Sequence, residues 1–387
     1  MKQHNTHLNR DTKKKENILK SNVWSSNSVS RRVSAATLAI VLSLSTTVAF
    51  TQAPSAVPAA PAPQAAKAPP SLKATPATPQ APADPLPRAN PRFFTAASPN
   101  VETVNAFLRQ IWGFDSSRVW RVMAIQPTVA PDVTKVVVFV TVKAPDAKIQ
   151  AATFFVTPDG KHAIGEGVGV VPFGATPFAA NRDLLKAHAN GASRGAAGKD
   201  FELVEFADLQ CPHCKEAQST MDQIAQDFPK AHIVFQPFPL VETHPSSFKA
   251  AAYGICAQQQ SDDAFFKYAT GVFDTQEGLA PNTEDTLLKA AAKRAGLDGD
   301  AIATCASTQA TKDIVVADIK LAQDAGVDQT PTLSVNGRMI PIGGSLNYEQ
   351  LKQLIQYQAT LDGVDSGATA ETLAPKPAPP TLQTLPK

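Results

Sequence analysis

Phe206-Ala207-Asp208-Leu209-Gln210-Cys211-Pro212-His213-Cys214-Lys215 decides how this 387-residue chain is read. It joins a strand-like run to a helix-like one. Phe201 to Phe206 alternates and is rich in β-branched and aromatic residues, while Ala217, Met221, Ile224 and Phe228 recur at helical spacing after Lys215. The two cysteines therefore open a helix. Its first turn has unpaired N–H groups and the positive end of the helix dipole, which favour a thiolate over a thiol at Cys211. Pro212 suits a turn where a missing N–H costs nothing, and His213 supplies a group that can carry positive charge near Cys211. Cys214 follows one turn later on the same side. Two sulfurs so placed can close a disulfide, and a stabilised Cys211 thiolate favours the dithiol form, so the disulfide readily oxidises others. The chemistry predicted is thiol–disulfide exchange.

Cys-Pro-His-Cys after a strand ending in Glu205-Phe206 resembles the DsbA-like thiol:disulfide oxidoreductases of the bacterial envelope, and the resemblance covers roughly residues 200 to 357. It implies an α/β, thioredoxin-like fold. Gln329-Thr330-Pro331-Thr332 resembles the family's cis-proline loop, which implies that Thr330 faces the disulfide and that the backbone there pairs with a bound peptide. Glu205, six residues before Cys211, matches the position of a buried acid that handles the proton of the second cysteine. The resemblance thus implies catalytic roles for Cys211, Cys214, His213, Pro212 and Glu205 and substrate contacts from Thr330 and Pro331, with no cofactor.

Other readings of the same residues are less economical. A C-x-x-C can be half of a zinc site, but a structural site wants four ligands, and the chain has no second C-x-x-C. Two thiolates could carry Cu(I) as a metallochaperone does, but Met-rich and His-rich stretches are absent. A client-binding module with vestigial cysteines would have no use for the acid, histidine and proline around them. For Glu205 alone, a strand carboxylate facing solvent stays open, because period-2 alternation does not say which face is buried.

Outward from the motif, Cys214 and Pro331 are more than a hundred residues apart, a gap filled by helical patterns at Ser246 to Gln259, Asp263 to Phe273, Asn282 to Ala295, Asp298 to Ser307 and Lys312 to Ala325. This predicts a helical subdomain, residues 245–325, inserted in a domain spanning 200–358. Cys256 and Cys305 both fall in it; in an exported protein they make a structural disulfide, and otherwise two buried thiols. The strand Thr332 to Val335, an Asn336-Gly337 turn, Met339 to Ile342 and a helix from Tyr348 to Gln358 close the domain.

Residues 92–194 read as a small α+β domain. Val101, Val104, Phe107, Leu108 and Ile111 share a helical face, and strand-like runs follow at Val119 to Ile125, Lys135 to Val142, Gln150 to Thr157 and His162 to Val168, with a turn at Pro158-Asp159-Gly160-Lys161. Helix, strands, hairpin and a connecting helix (Arg182 to His188) are similar to the dimerisation domain of DsbC-like disulfide isomerases. That similarity implies a homodimer; a monomeric accessory domain is the alternative. Asn190-Gly191-Ala192-Ser193 reads as a hinge-like break.

The ends complete the plan. Lys2, Lys13, Lys14, Lys15, Lys20, Arg31 and Arg32 precede an apolar run from Val33 to Phe50, and Thr47-Val48-Ala49 offers a small-x-small cleavage site, so residues 1–51 read as a signal peptide or a signal anchor. Either places the rest outside the cytoplasm, in the periplasm or cell envelope. Residues 52–91 are mostly Ala and Pro and read as a disordered spacer, able to reach on the order of 100 Å in polyproline II form. Residues 361–387, rich in Pro and Thr, read as a disordered tail. A formal net charge of +2 makes no case for nucleic acid. The partners predicted are exported proteins with cysteines and a membrane or soluble redox partner that resets the site. Oxidase and isomerase or reductase roles remain open, since the direction of electron flow depends on the potential.

Overall fold

The structure is a computed structural model that describes residues 84–165, 169–344 and 346–369. The signal or anchor segment, most of the Ala/Pro-rich spacer and the last eighteen residues of the tail lie outside the described residues.

The first sheet is an antiparallel meander in chain order: β1 (Arg118–Pro127), β2 (Thr134–Val142), β3 (Gln150–Val156), β4 (His162–Gly165) and β5 (Gly169–Pro172). Its fifth strand was not among the expected runs. Helix α1 (Val101–Trp112), capped by the Asn100 side chain accepting from the Thr103 N–H, lays Val104, Phe107 and Leu108 on the sheet. They meet Val122, Ile125, Val136, Val138, Phe154 and Phe173 in an almost wholly apolar core. Residues 84–91, expected to belong to the spacer, are instead packed on β1. Leu86 is buried, and Arg121 donates to the carbonyls of Leu86 at 2.7 Å and Pro87 at 2.9 Å while pairing with Asp84.

The second sheet runs β10-β9-β7-β8-β6, from β6 (Ala192–Gly195), β7 (Glu202–Ala207), β8 (His232–Pro237), β9 (Thr332–Val335) and β10 (Arg338–Pro341). β7 and β8 are parallel and the other pairs antiparallel. This corrects the hinge at Asn190 to Ser193. The segment enters β6, which pairs with β8, so residues from about 190 onward belong to the second sheet rather than to the preceding domain. Helix α2 (Ala179–His188) goes with them, packing Leu185 on Val204, Phe206 and Val234.

Both faces of this sheet are covered. Met221, Ile224 and Phe228, from α3 (Pro212–Asp227) and the residue after it, join Leu351, Leu354 and Ile355 of the C-terminal helix against Leu203, Ile233 and Leu333. On the other face lie α2 and the last insertion helix, through Leu321 and Ala322. Every residue of β7 is consequently buried. Period-2 alternation puts Leu203 and Glu205 on the α3 side, which settles the facing that the sequence left open.

The insertion contains α4 (Ser247–Gln258), α5 (Asp262–Thr275), α6 (Glu284–Arg294), α7 (Gly299–Ser307) and α8 (Gln309–Asp324), as the patterning predicts. α4 is buried nearly all round because its Ala- and Gly-rich surface lets the others pack closely against it. A disulfide joins Cys256 on α4 to Cys305 on α7. At the far end of the sheet, Asn336 and Gly337 make the β9–β10 turn with φ of 48° and 95°; a Cβ on Gly337 would lie 2.4 Å from the Phe178 carbonyl oxygen. Arg338 then donates to the carbonyls of Gln110 at 2.8 Å and Ile111 at 2.9 Å, satisfying the open end of α1. Helix α9 (Tyr348–Asp362) outruns its expected end at Gln358 and stops at Gly363, where φ is 67°. Residues 363–369, expected to be disordered tail, are folded: Ser366 is buried and its carbonyl accepts from the Lys230 N–H, while Val364 and Ala368 pack into the core.

Candidate active site

Cys211 is the N-cap of α3 and Pro212 its first residue. The Cys211 carbonyl accepts from the N–H of Cys214 at 3.1 Å and of Lys215 at 3.3 Å, so the motif is itself the first helical turn. Both sulfurs are free, and their environments differ. The Cys211 thiol is pulled down to about 5, first by the hydrogen bond from the Cys214 thiol and then by the backbone N–H of Cys214, the Thr330 side chain and the His213 N–H, with burial opposing. Cys214 is wholly buried, and burial pushes its thiol far up, helped by the Cys211 and Glu205 charges and opposed by the Asp208 N–H, 3.3 Å from its sulfur. One sulfur is ready to attack at neutral pH; the other needs a proton acceptor.

His213 is the second residue of α3. Its ring is exposed, with Nδ1 3.1 Å from Glu216 Oε2, and that bond is the chief reason its pKa rises. What it gives Cys211 most directly is its backbone N–H; the imidazole interacts only through charge. Glu205 is 2 % exposed and pushed up to about 7 by burial, against the lowering effect of the Gln218 amide.

Thr330-Pro331 is a cis peptide bond, and the Thr330 carbonyl oxygen lies 3.7 Å from Cys211 Sγ. Beside it opens a groove of about 460 Å³ lined by His213, Glu216, Thr220, Pro331, Ile342 and Gly344, among others. The structure therefore brings Cys211, Pro212, His213 and Cys214 onto one helical turn with Thr330 and Pro331 beside Cys211; His213, Thr330 and Pro331 line the groove, and Glu205 lies on the buried side, where its charge acts on Cys214.

Several residues that hold this site escaped the sequence reading. Asp208 Oδ2 accepts from the Leu240 N–H and pairs with His244 Nδ1, each at 2.8 Å, and its Oδ1 accepts from the Gln210 N–H at 2.7 Å. Gln210 bonds Leu279 and Ser246, and Gln276 donates to the carbonyls of Leu209 and Cys211, so the inserted helices clamp the loop that carries the attacking sulfur. Their partners lie 32 to 69 residues away in sequence, where no local pattern reports them. Gln218 did carry a signal. It stands four residues after Cys214 and so on the same helix face.

Residues 189–357 match the thioredoxin family model. Among curated proteins, the chain is 28% identical over 145 residues to Na(+)/H(+) antiporter NhaA 3 of Salinispora tropica, covering 38% of this chain and 21% of that protein. It is 31% identical over 147 residues to Na(+)/H(+) antiporter NhaA 1 of Mycolicibacterium vanbaalenii, covering 37% and 23%. The chain thus spans less than a quarter of the length of these relatives. Among solved structures, it is similar to a thioredoxin-like oxidoreductase from Silicibacter pomeroyi (22% identity, TM-score 0.40, 46% of this chain and 98% of that one). It is also similar to oxidised BdbD from Bacillus subtilis (23% identity, TM-score 0.39, 46% and 95%).

Proposed function

We propose that this chain, with its thioredoxin-family domain over residues 189–357, is an extracytoplasmic protein thiol:disulfide oxidoreductase that forms disulfides in exported proteins. The observation that carries this is the opposed pair of sulfurs, Cys211 lowered to about 5 and Cys214 raised by burial, beside a peptide-sized groove. In the oxidising direction a client thiolate attacks Cys211 of the Cys211–Cys214 disulfide. Cys214 leaves as a thiolate and is protonated, and a mixed disulfide forms. A second client thiolate then attacks the client sulfur of that bond, and Cys211 departs as a thiolate. The client is oxidised by two electrons and the protein reduced by two. Because Cys211 is so stable a thiolate, the dithiol form is favoured and the disulfide is a strong oxidant, which supports oxidation over reduction. Thr330 and Pro331 line the groove where a client backbone would lie. A redox partner must return the dithiol to the disulfide.

The Cys256–Cys305 disulfide supports an oxidising compartment and hence export, consistent with the basic and apolar N-terminal segment. Refolding of a reduced, disulfide-containing substrate and insulin reduction, each with wild type and Cys211→Ser, test the activity. Turnover should fall to background in the variant, and activity that survives would refute the assignment.

A second reading, an isomerase acting as a dimer, is favoured by one observation. Phe155, Ile164 and Val170 lie opposite one another across β3, β4 and β5 and are 38%, 41% and 65% exposed, an apolar row on the open face of the first sheet. Sedimentation beside a scrambled-disulfide rescue assay separates the two: a stable dimer with efficient rescue and weak oxidation would favour the isomerase.

A further inference from the structure

Cys214, Gln218 and Asp222 stand at i, i+4 and i+8 on α3 and share one face. Glu205 of β7 and Arg194 of β6 lie against this stripe. Gln218 Nε2 donates to Glu205 Oε1 at 2.8 Å and to the Cys214 carbonyl at 3.0 Å, so one amide ties the acid to the turn that bears the buried sulfur. Farther along, Arg194 Nη1 donates to Asp222 Oδ1 at 2.6 Å, and its guanidinium carbon sits 5.2 Å from the Phe266 ring centroid. Exposure rises in the same order: Cys214 is 0% exposed and Glu205 2%, while the side chains of Arg194 and Asp222 are 26% and 57% exposed.

Resting on the exchange reading above, we propose that Gln218 is a positioning residue for the proton of Cys214, holding the Glu205 carboxyl beside that sulfur while the Arg194–Asp222 pair controls the charge facing Glu205 from the solvent side. When the dithiol closes, Cys214–SH gives its proton to the Glu205 carboxylate. The new thiolate attacks Cys211 of a mixed disulfide, and the other sulfur leaves as a thiolate that water protonates. Glu205 then returns its proton to water. Disulfide opening runs the same steps in reverse, with protonated Glu205 supplying the leaving Cys214. The charged and titratable groups facing Glu205 are Cys214 and Asp222 from α3 and Arg194 from β6; β8 and β9 set Phe235 and Leu333 opposite it. Gln218 and Arg194 lower the Glu205 pKa and Asp222 raises it, so the stripe holds an acid that burial alone would keep neutral close to neutrality.

The test uses the full chain, its Gln218→Ala variant and the nearly isosteric Gln218→Glu. Carboxyl-carbon NMR follows Glu205 in the disulfide form, where neither sulfur titrates. Rapid quenching with oxidised glutathione separates attack by Cys211 from closure by Cys214 between pH 5 and 9. In wild type the Glu205 midpoint should fall at about 7. In Gln218→Ala it should rise by about one pH unit, slowing closure about tenfold at pH 6 with attack by Cys211 within about twofold of wild type. Gln218→Glu should split the titration into two coupled steps. An unmoved midpoint in both variants, or equal slowing of both steps, would overturn the positioning role. No Cys211-dependent attack on glutathione disulfide in wild type would instead bring down the exchange reading, and this proposal with it.

Discussion

The two five-stranded sheets of this chain differ in what they bury. The meander packs α1 on one face with an interior of Val, Ile, Leu and Phe, and leaves part of its other face to solvent. The mixed sheet is covered on both faces and buries Glu202, Glu205 and Gln236 within its strands, with Asp208 just beyond β7 and Asp318 on the covering α8. Antiparallel sheets can remain half wet, whereas helices on both sides take the central strands of a sheet, here β7, β8 and β9, wholly out of water. In such a place a carboxyl costs free energy, and its pKa moves toward neutrality. The contrast says where chemistry can sit. Among the described residues, the second sheet and the helix that follows β7 supply a buried acid and a buried thiol that burial holds in their protonated forms well above the ordinary range.

If the first sheet tuned the sulfurs, a hole in its core would move their titration. Phe107 lies 4.8 Å from Phe173 and 5.7 Å from Phe154 between ring centroids, so Phe107→Ala removes the centre of that core. It should cost up to about 5 kcal/mol in urea unfolding. The Cys211 thiolate, followed by its ultraviolet absorbance, should still titrate at about 5. A displaced titration would show that the first core reaches the site.

A somewhat smaller loss is expected in the insertion. Replacing Cys256 and Cys305 together with Ala opens a disulfide with a sequence separation of 49 residues, for which chain entropy gives about 4 kcal/mol. Since Gln210 and Gln276 tie the Cys211 loop to these helices, amide exchange at residues 208–211 should quicken as well. Unchanged exchange there would separate the clamp from the disulfide.

These cases also show what the sequence could reveal. The strand–Cys-x-x-C–helix junction, the proline loop and the five insertion helices were legible because each is written in a local run of periodic or constrained residues. Residues 84–91 and 363–369 were misread for the opposite reason. The Ala- and Pro-rich composition of the spacer and the Pro- and Thr-rich composition of the tail as a whole report that such a segment cannot build its own core. It does not report that Arg121 will offer donors to the carbonyls of Leu86 and Pro87, or that Lys230 will donate to Ser366. Asp208 and His244, 36 residues apart, belong to the same class of pairing, which exists only after folding.

The second sheet makes a prediction of opposite sign to the first. Glu205 has a folded pKa of about 7 against an ordinary 4.5, so the folded state binds more protons than the unfolded one between those values. Stability must then fall as pH rises through that window. Glu205→Gln keeps the shape and the Gln218 bond without the buried charge. It should therefore match wild type near pH 4 and exceed it by roughly 3 kcal/mol at pH 8, with slower exchange. Chemical denaturation at both pH values would check this; a variant no more stable at pH 8 would mean that the carboxylate finds compensation on ionising.

The smallest effect belongs to the residue that the sequence makes most conspicuous. Cys211 is held as a thiolate by the Cys214 thiol, the Cys214 and His213 N–H groups and the Thr330 side chain, all of which survive His213→Gln. What the substitution removes is an exposed ring already engaged with Glu216, and exposed charges are screened by water and salt. The pKa of His213 is raised above 6.5, so the ring is cationic where Cys211 titrates, and whatever its charge contributes appears in full in the thiolate titration. The Cys211 pKa should therefore rise by only a few tenths of a unit, and the disulfide should become less oxidising by about 10 mV. Above the His213 pKa the ring is neutral in wild type, and the two proteins should react alike. Titration of the thiolate together with a glutathione equilibrium at pH 6 and pH 8.5 would measure both. A rise of a full unit or more would mean that the imidazole, rather than the helix turn and the buried partner sulfur, sets the oxidising power of the site.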